Sequence, residues 1–338
     1  LIEIKIKKLQ LTNTWTIARN SSDFKENVFL KIERNGIEGF GEAAPNVRYG
    51  ENAELTTQKI RQAEKVLEKF DWFNYADIKT AIDEEIRDQS CAKAAIDMAI
   101  MDWVGKSLKV PLYKLWGLNH NNLPITSFSI GIDRPEILKK KIEQAEKYPV
   151  LKIKVGKDNE KEIINTVRSF TDKPLRIDAN EAWISKKDAL EKILWMQTQN
   201  VEFIEQPMPA DMIDETAWLR ERIKIPIIAD ESVKQTSDIS KIAGAFDGIN
   251  IKLMKSGGLI EAIKMIASAH RFRLKVMLGC MIESSLAISA AAHLSPKAEW
   301  TDLDGNLLIS NDPFEGVKVE KGRLVLNGLP GIGVIGEF

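Results

Sequence analysis

The stretch "VLKIKVG", Val150 to Gly156, alternates apolar and charged residues with the period of a β-strand. Alternate side chains of a strand share a face, so Leu151, Ile153 and Val155 lie on one side and Lys152 and Lys154 on the other. On a surface strand both lysines would point into water. Which way they point depends on what the neighbouring segments build around them.

From about residue 124 onward, one unit repeats. Short apolar strands alternate with longer helical stretches: ITSFSI (125–130), LKIKV (151–155), LRIDA (175–179) and VEFIEQ (201–206), then PIIAD (226–230), GINIKL (248–253), LKVMLG (274–279) and EWTDLD (299–304). Eight strands joined by seven helical returns predict an α/β chain with a (β/α)7β barrel over residues 118–315. A doubly wound open sheet is the competing architecture, but no GxGxxG turn follows any of these eight strands. In a barrel the helices cover the outside, so the apolar face of VLKIKVG packs outward and the two lysines turn inward. Two inward lysines are expected to lower each other's proton affinity, which suits a base working near neutral pH.

Ahead of the barrel, residues 2–9, 28–34 and 37–43 alternate as strands, and charged helical stretches follow at about 52–70 and 75–88. "SCAKAAIDMAIMDWVGK" continues with helical spacing, and Ser90 stands where an N-cap is expected. Residues 1–117 thus form an α+β capping domain. The tail, 316–338, lacks a further βα unit and is expected to return to that domain.

The chain has 338 residues, 44% of them apolar and 29% charged, with 48 basic against 49 acidic side chains. That is the composition of a soluble globular protein, and its charge balance offers no general attraction for nucleic acid or anionic membrane. Cys91 and Cys280 are far apart and form no CxxC, so two thiols in a reducing cytoplasm are expected. "LIEIKIKKLQL" at the start has no continuous apolar run, which speaks against a signal peptide or membrane span.

In barrels of this kind the chemistry gathers at the C-terminal ends of the strands. Three consecutive strands end there in an acid: Asp178 in "RIDAN", Glu205 in "FIEQP" and Asp230 in "IIADES". Each could cap the helix that follows. Clustered, they call for a cation, and an all-oxygen set favours Mg²⁺ or Mn²⁺ over zinc. In "NIKLMKSGG" Asn250 and Lys252 alternate and face inward, and that strand stands across an eight-membered ring from Lys154. A base on each face of one carbon, beside a cation that can stabilise an enolate, suits stereochemical inversion.

"KIKVG", "RIDAN", "FIEQP", "IADES" and "IKLMKSGG", in this order, resemble the enolase superfamily in its muconate-lactonising subgroup. The resemblance covers essentially the whole chain. It implies one Mg²⁺ per subunit on Asp178, Glu205 and Asp230, Lys154 and Lys252 as the acid/base pair, and Lys152 as a helper that touches the substrate carboxylate. The branch with a strand-seven histidine is disfavoured, because "MLGCMIESS" has none; His120, His270 and His293 are expected to be structural.

The subgroup includes cycloisomerases, o-succinylbenzoate synthases, N-acylamino acid racemases and dipeptide epimerases, which share these residues. "EWTDLDG" separates them: the DxD of Asp302 and Asp304 resembles the dipeptide epimerases, where such a pair binds the substrate's α-ammonium group. Asp304-Gly305 is also an ordinary turn signal. An Ala-X dipeptide is the substrate this implies, with a cycloisomerase, synthase or N-acylamino acid racemase as the alternative. Further contacts are expected from Ser129, Asn180, Asn250, Cys280, Met281 and Glu283, and from Arg19 in a long loop, residues 13–23, over the barrel mouth. Arg19 would suit an acidic side chain, whereas Trp15, Ile17 and Phe24 would suit an apolar one. Glu231 is expected to point away from Asp230. Assembly into a homo-oligomer is implied by the resemblance alone.

Overall fold

A computed structural model describes residues 2–17, 20–121 and 123–338. The N-terminal unit is an antiparallel sheet of β1 (Ile2–Thr16), β2 (Ser21–Arg34) and β3 (Ile37–Ala43), in that order. The helix Ser90–Ser107 lies on it and is buried on nearly all sides. It packs close because the sheet offers no side chain in its way: a Cβ on Gly41 would overlap the Ala95 carbonyl oxygen. Ser90 is the first helical residue and not the cap. The position before it is Gln89, with φ 59°, and Glu51 Oε1 accepts the Cys91 N–H at 3.1 Å. A distant carboxylate therefore does what a local hydroxyl was expected to do.

The barrel strands are β4 (Phe128–Ile130), β5 (Leu151–Lys154), β6 (Leu175–Asp178), β7 (Val201–Glu205), β8 (Ile227–Ala229), β9 (Gly248–Lys252), β10 (Lys275–Gly279) and β11 (Trp300–Asp302). They form one parallel sheet in sequence order. A parallel bridge from Thr126 to Thr301, with the Ser127 N–H on the Thr301 carbonyl, joins the first strand to the last and closes the ring. Leu151, Ile153 and Val155 are fully buried in the main core between strands and helices. Phe203, Ile228 and Met277, with Trp300 against them, make a separate apolar plug inside the ring. The chain is thus a (β/α)7β barrel with an N-terminal α+β cap.

The described residues of 13–23 are not the loop expected from their polar composition. Residues 13–16 and 21–23 continue β1 and β2 as a hairpin arm, with pairs Trp15–Ser22 and Thr16–Ser21 beyond a register shift after Gln10. The Ile132 N–H to Thr16 carbonyl bond and the Ser310 N–H to Gln10 carbonyl bond hold this arm at the barrel mouth. Arg19 lies outside the described residues.

The C-terminal tail serves both units. The hairpin of Lys318–Glu320 and Arg323–Val325 stays beside the barrel, where the Gly322 carbonyl accepts from Thr126 N–H. Farther on, Ile332 N–H binds Asp102 of the long helix, and Phe338 packs on Phe29 and Phe40 of the cap sheet. His293 fixes this return: its Nδ1 accepts from the Tyr113 N–H and its Nε2 lies 2.9 Å from the Ile332 carbonyl oxygen. His120 stacks on Tyr113 in the same cluster. No described helix is long and apolar enough to cross a membrane, and both cysteines are free thiols.

Burial lowers the His293 pKa from 6.5 to about 4. The folded chain therefore refuses a proton that the unfolded chain accepts between those values, and stability falls as pH drops from about 6.5 to 4. The span corresponds to about 3 kcal/mol. A His293→Gln variant is expected to be less stable at pH 8 but to show a shallower decline over that window in urea midpoints. An equally steep decline would remove His293 as its source. Gly41→Ala is expected to cost at least about 1–3 kcal/mol by the same assay, because backbone must move to admit the methyl group.

Candidate active site

The eight strands deliver their inward side chains in rows. Lys154, Asp178 and Glu205 are register partners across β5, β6 and β7, and Lys252, Gly279 and Asp302 across β9, β10 and β11. Because the period is two, Lys152, Arg176, Phe203, Asn250 and Met277 fill the layer beneath. The acids and the lysines Lys154 and Lys252 therefore sit toward the C-terminal mouth, while Lys152 and Arg176 share the lower layer with Phe203 and Met277.

Asp178, Glu205 and Asp230 converge from three adjacent strands, with ligand oxygens all within 4.8 Å of one another. All three are buried. Burial, then the neighbouring Asp178, pushes Glu205 up to about 7. Asp178 is held at about 2 against burial by Lys154 and Lys152, and Asp230 is held far down by Lys252 and Lys255. A carboxyl pushed up to about 7 by burial and an acidic neighbour marks a place short of positive charge. Three converging oxygens fit a hard divalent cation.

Lys152 lies 2.6 Å from Asp302, 2.7 Å from Glu205 and 3.2 Å from Asp178. Burial opposes its charge, but these three carboxylates outweigh burial and raise its pKa well above the ordinary value. The expectation that paired lysines depress each other is thus not met at Lys152, since carboxylates stand closer than the second lysine's charge can offset. Lys252 is likewise raised: Asp230 and Glu205 outweigh burial there. Lys154 donates to Asp178 at 2.5 Å and Lys252 to Asp230 at 2.8 Å. They come from the second and sixth strands of the ring, and both line a cleft of about 300 Å³.

On the flank, Asp302 Oδ1 accepts from the hydroxyls of Ser127 at 2.7 Å and Ser129 at 3.3 Å, and Asp304 Oδ2 from the Ser129 N–H at 2.6 Å. Burial and Asp302 raise Asp304 to about 7, while Lys152 holds Asp302 below its ordinary value against burial. Both acids face the cleft, together with Ser129, Asn180, Cys280 and Met281. Two expected contacts do not. Asn250 lies beneath the acids, fully buried, with its amide on Glu205 Oε1, and Glu283 turns back to accept the Met281 N–H. Glu231, expected to point away, lines the cleft beside Asp230. It stands past the end of β8, where strand alternation no longer governs direction.

Other residues of the site escaped the sequence reading. Lys255, the third residue of the short helix Leu253–Ser256 that follows β9, donates to the Asp230 carboxylate and to the carbonyls of Asp230, Val233 and Asn250. Gln206 accepts the N–H of Asp230 and of Ser232 on one amide oxygen. Buried Glu42 on β3 accepts from Asn27, Ser284 and Ala287, and so locks the cap to the helix Ser285–Ala292 of the barrel. The cap contributes Trp15, Ile17, Asn20, Lys25, Asn27 and residues 44–49 as the roof of the cleft. A "KSGG" or "GEAAP" stretch carries no local sign of such long-range partners.

Residues 138–335 match the family described as enolase C-terminal domain-like, and residues 2–117 the mandelate racemase / muconate lactonizing enzyme N-terminal domain. The chain is 44% identical to an L-Ala-D/L-Glu epimerase of Bacteroides thetaiotaomicron over 97% of its own length and 86% of the relative's. The L-Ala-D/L-Glu epimerase of Bacillus subtilis, solved as a substrate-liganded complex, superposes with a TM-score of 0.94 at 30% identity, covering 99% of this chain and 98% of that one. The dipeptide epimerase of Enterococcus faecalis V583, complexed with Mg and L-Leu-L-Tyr, gives 0.91 at 32% identity, with 98% of each chain covered. The fold, the order of its strand-end residues and these matches place the chain in the mandelate racemase / muconate lactonizing enzyme family of the enolase superfamily.

Proposed function

We propose that the chain is a Mg²⁺-dependent dipeptide epimerase, an isomerase that inverts the α-carbon of the C-terminal residue in Ala-X-type dipeptides. The observation that carries this reading is the pair Lys154 and Lys252, on opposite strands of one ring and facing one cleft, with the acid triad and the Asp302/Asp304 pair around it. The named activities and ligands of the relatives support it.

Asp178, Glu205 and Asp230 would hold the ion. Bound there, Mg²⁺ supplies positive charge against which the substrate carboxylate can accept the electrons of the broken C–H bond. The protein's own groups move the proton. Lys154, as a free amine, takes it from one face of the α-carbon, and Lys252, as an ammonium, returns one to the other face; from the opposite antipode the roles exchange. Lys152, gripped by three carboxylates, keeps its charge and orients the substrate carboxylate. Asp302 and Asp304 hold the α-ammonium, a cation that suits an acid pair in which Lys152 holds Asp302 low against burial, while burial and Asp302 raise Asp304 to about 7. An N-acylamino acid, a succinylbenzoate precursor or a muconate brings no ammonium to that pair, so the dipeptide is favoured. A cytoplasmic setting and a homo-oligomeric assembly complete the proposal; the free thiols support the first and the family the second.

Replacing either base should separate proton exchange from inversion. In D₂O, Lys154→Ala and Lys252→Ala are each expected to lose epimerisation by about 10³-fold. Each should still exchange the α-proton of the one antipode that faces the remaining lysine, and the two patterns should be complementary. Epimerisation surviving in both variants would exclude the two-base mechanism. Mg²⁺ is expected to stabilise the wild type by about 2.7 kcal/mol at a hundredfold excess over its Kd. In melting scans with Mg²⁺ or chelator that difference should shrink in Glu205→Gln; the same shift in both proteins would count against the triad.

A further inference from the structure

The two bases of the proposed reaction stand on differently anchored segments. Lys154 leads into a turn whose partners are barrel residues: the Val155 N–H donates to the Asp178 carbonyl and the Gly156 N–H to Asn159 Oδ1, while the Gly156 and Lys157 carbonyls accept from Trp183 and Lys192. Lys252 instead leads directly into the short helix Leu253–Ser256, which is buried against the long cap helix Ser90–Ser107. Asp97 of that cap helix, itself buried, accepts the N–H of Leu259 at 2.5 Å and of Ile260 at 3.4 Å, at the start of the helix Leu259–Arg271. Gly258 makes this approach possible: its φ is 118°, and a Cβ there would stand 2.4 Å from Asp97 Cγ. The cap grips the same segment a second time, where Met254 Sδ accepts the Ala44 N–H at 3.2 Å.

The Asp97 contact is held at a cost. Burial pushes its carboxyl up to about 7, against the Leu259 N–H and the charge of Lys79. What offsets that cost is the pair of helix-start N–H groups, which have no partner inside their own helix. Between Lys252 and Leu259 the chain closes on itself, with the N–H groups of Gly257 and Gly258 both on the Leu253 carbonyl, so a shift of Leu259 is passed back to Lys252. We infer that Asp97 is a positioning residue for Lys252 and not for Lys154: the cap sets the stance of one base, and the barrel alone sets that of the other. This rests on the two-base epimerase reading and adds to it a dependence of one antipode on the cap.

The test follows L-Ala-L-Glu and L-Ala-D-Glu separately in D₂O, well above pH 7, where Asp97 is ionised. Asp97→Asn is expected to slow α-proton exchange by about 10- to 100-fold for the antipode that Lys252→Ala silences, and to leave exchange of the other within about twofold. Inversion of that other antipode should still fall, because Lys252 returns its proton, so exchange outruns inversion. Gly258→Ala, which forces the carboxylate away from the opposite side, should give the same one-sided pattern. Asp102→Asn loosens the cap at Phe40 and Ile332 instead, and should leave the two antipodes in the wild-type ratio. In Asp97→Asn, equal slowing of both antipodes, as loss of the cation through Lys255 and Asp230 would produce, overturns the inference. So does slowing of neither, or the one-sided pattern in Asp102→Asn. Amide hydrogen exchange is read by mass spectrometry on the same proteins. Asp97→Asn should lose protection over residues 252–260 and keep it over 151–157, and unaltered protection in both segments overturns the inference. A wild type that exchanges neither antipode would instead defeat the epimerase reading, and the amide pattern would still decide whether Asp97 holds the Lys252 segment.

Discussion

Lys152 touches three carboxylates delivered by three different strands, and the upper half of the barrel is organised around that contact. Side chains that point into a closed ring have little access to water, so a charge placed there is stabilised by an opposite one. The ring meets this demand with Lys152, Lys154, Lys252 and Lys255 set against Asp178, Glu205, Asp230 and Asp302. Such a network tolerates little change, since removal of one member leaves its partner buried and uncompensated. The apolar plug of Phe203, Ile228 and Met277 beside it lowers the local dielectric and so strengthens each pairing.

The cap answers to a different constraint. It is fixed at a few buried points: Glu42 on the start of the helix Ser285–Ala292, Asp102 on Ile332, and Asp97 on the N–H of Leu259. Between those points the β1–β2 arm is held mainly by backbone bonds, which accept many side chains. The charged groups of the barrel, held by mutual neutralisation, and the roof side chains, carried on an arm held by backbone bonds, are thus physically separate. One barrel mouth can then serve several substrates by changes in the roof alone.

Much of the barrel was legible in the chain because its signal is local. Period-two alternation in VLKIKVG, RIDAN and GINIKL puts each acid and lysine inside, and the spacing of the strands puts them side by side. The same rule failed where the strand had ended. Counting alternation past Ala229, the last residue of β8, turns Glu231 away from the cleft that it in fact lines. Asn250 and Glu283 were assigned to the substrate because direction was read without depth; one is a layer too low and the other folds back onto its own loop. Polar composition hid the hairpin arm, whose strands are stabilised by the partner strand and the barrel rim and not by their own apolar pattern. The acid caps at Glu51, Asp97 and Glu42 join residues tens to hundreds of positions apart, and no short-range pattern reports them.

Asp230 shows how the fold secures a position that the ladder does not. It stands one residue beyond β8, so no strand pairing fixes it. Gln206 takes its N–H from one side, and Lys255, almost wholly buried, takes its carbonyl and one carboxylate oxygen from the other. Lys255 has four acceptors and cannot leave without stranding its charge. Lys154 and Lys252 each have one, a carboxylate of the triad, and both border the cleft. Positive charge arriving among these carboxylates must therefore loosen the two singly held lysines before the one held fourfold. Those two are also the pair proposed to act on a substrate from opposite sides, so in that mechanism their hold on the acids and their freedom to act are set by one electrostatic balance.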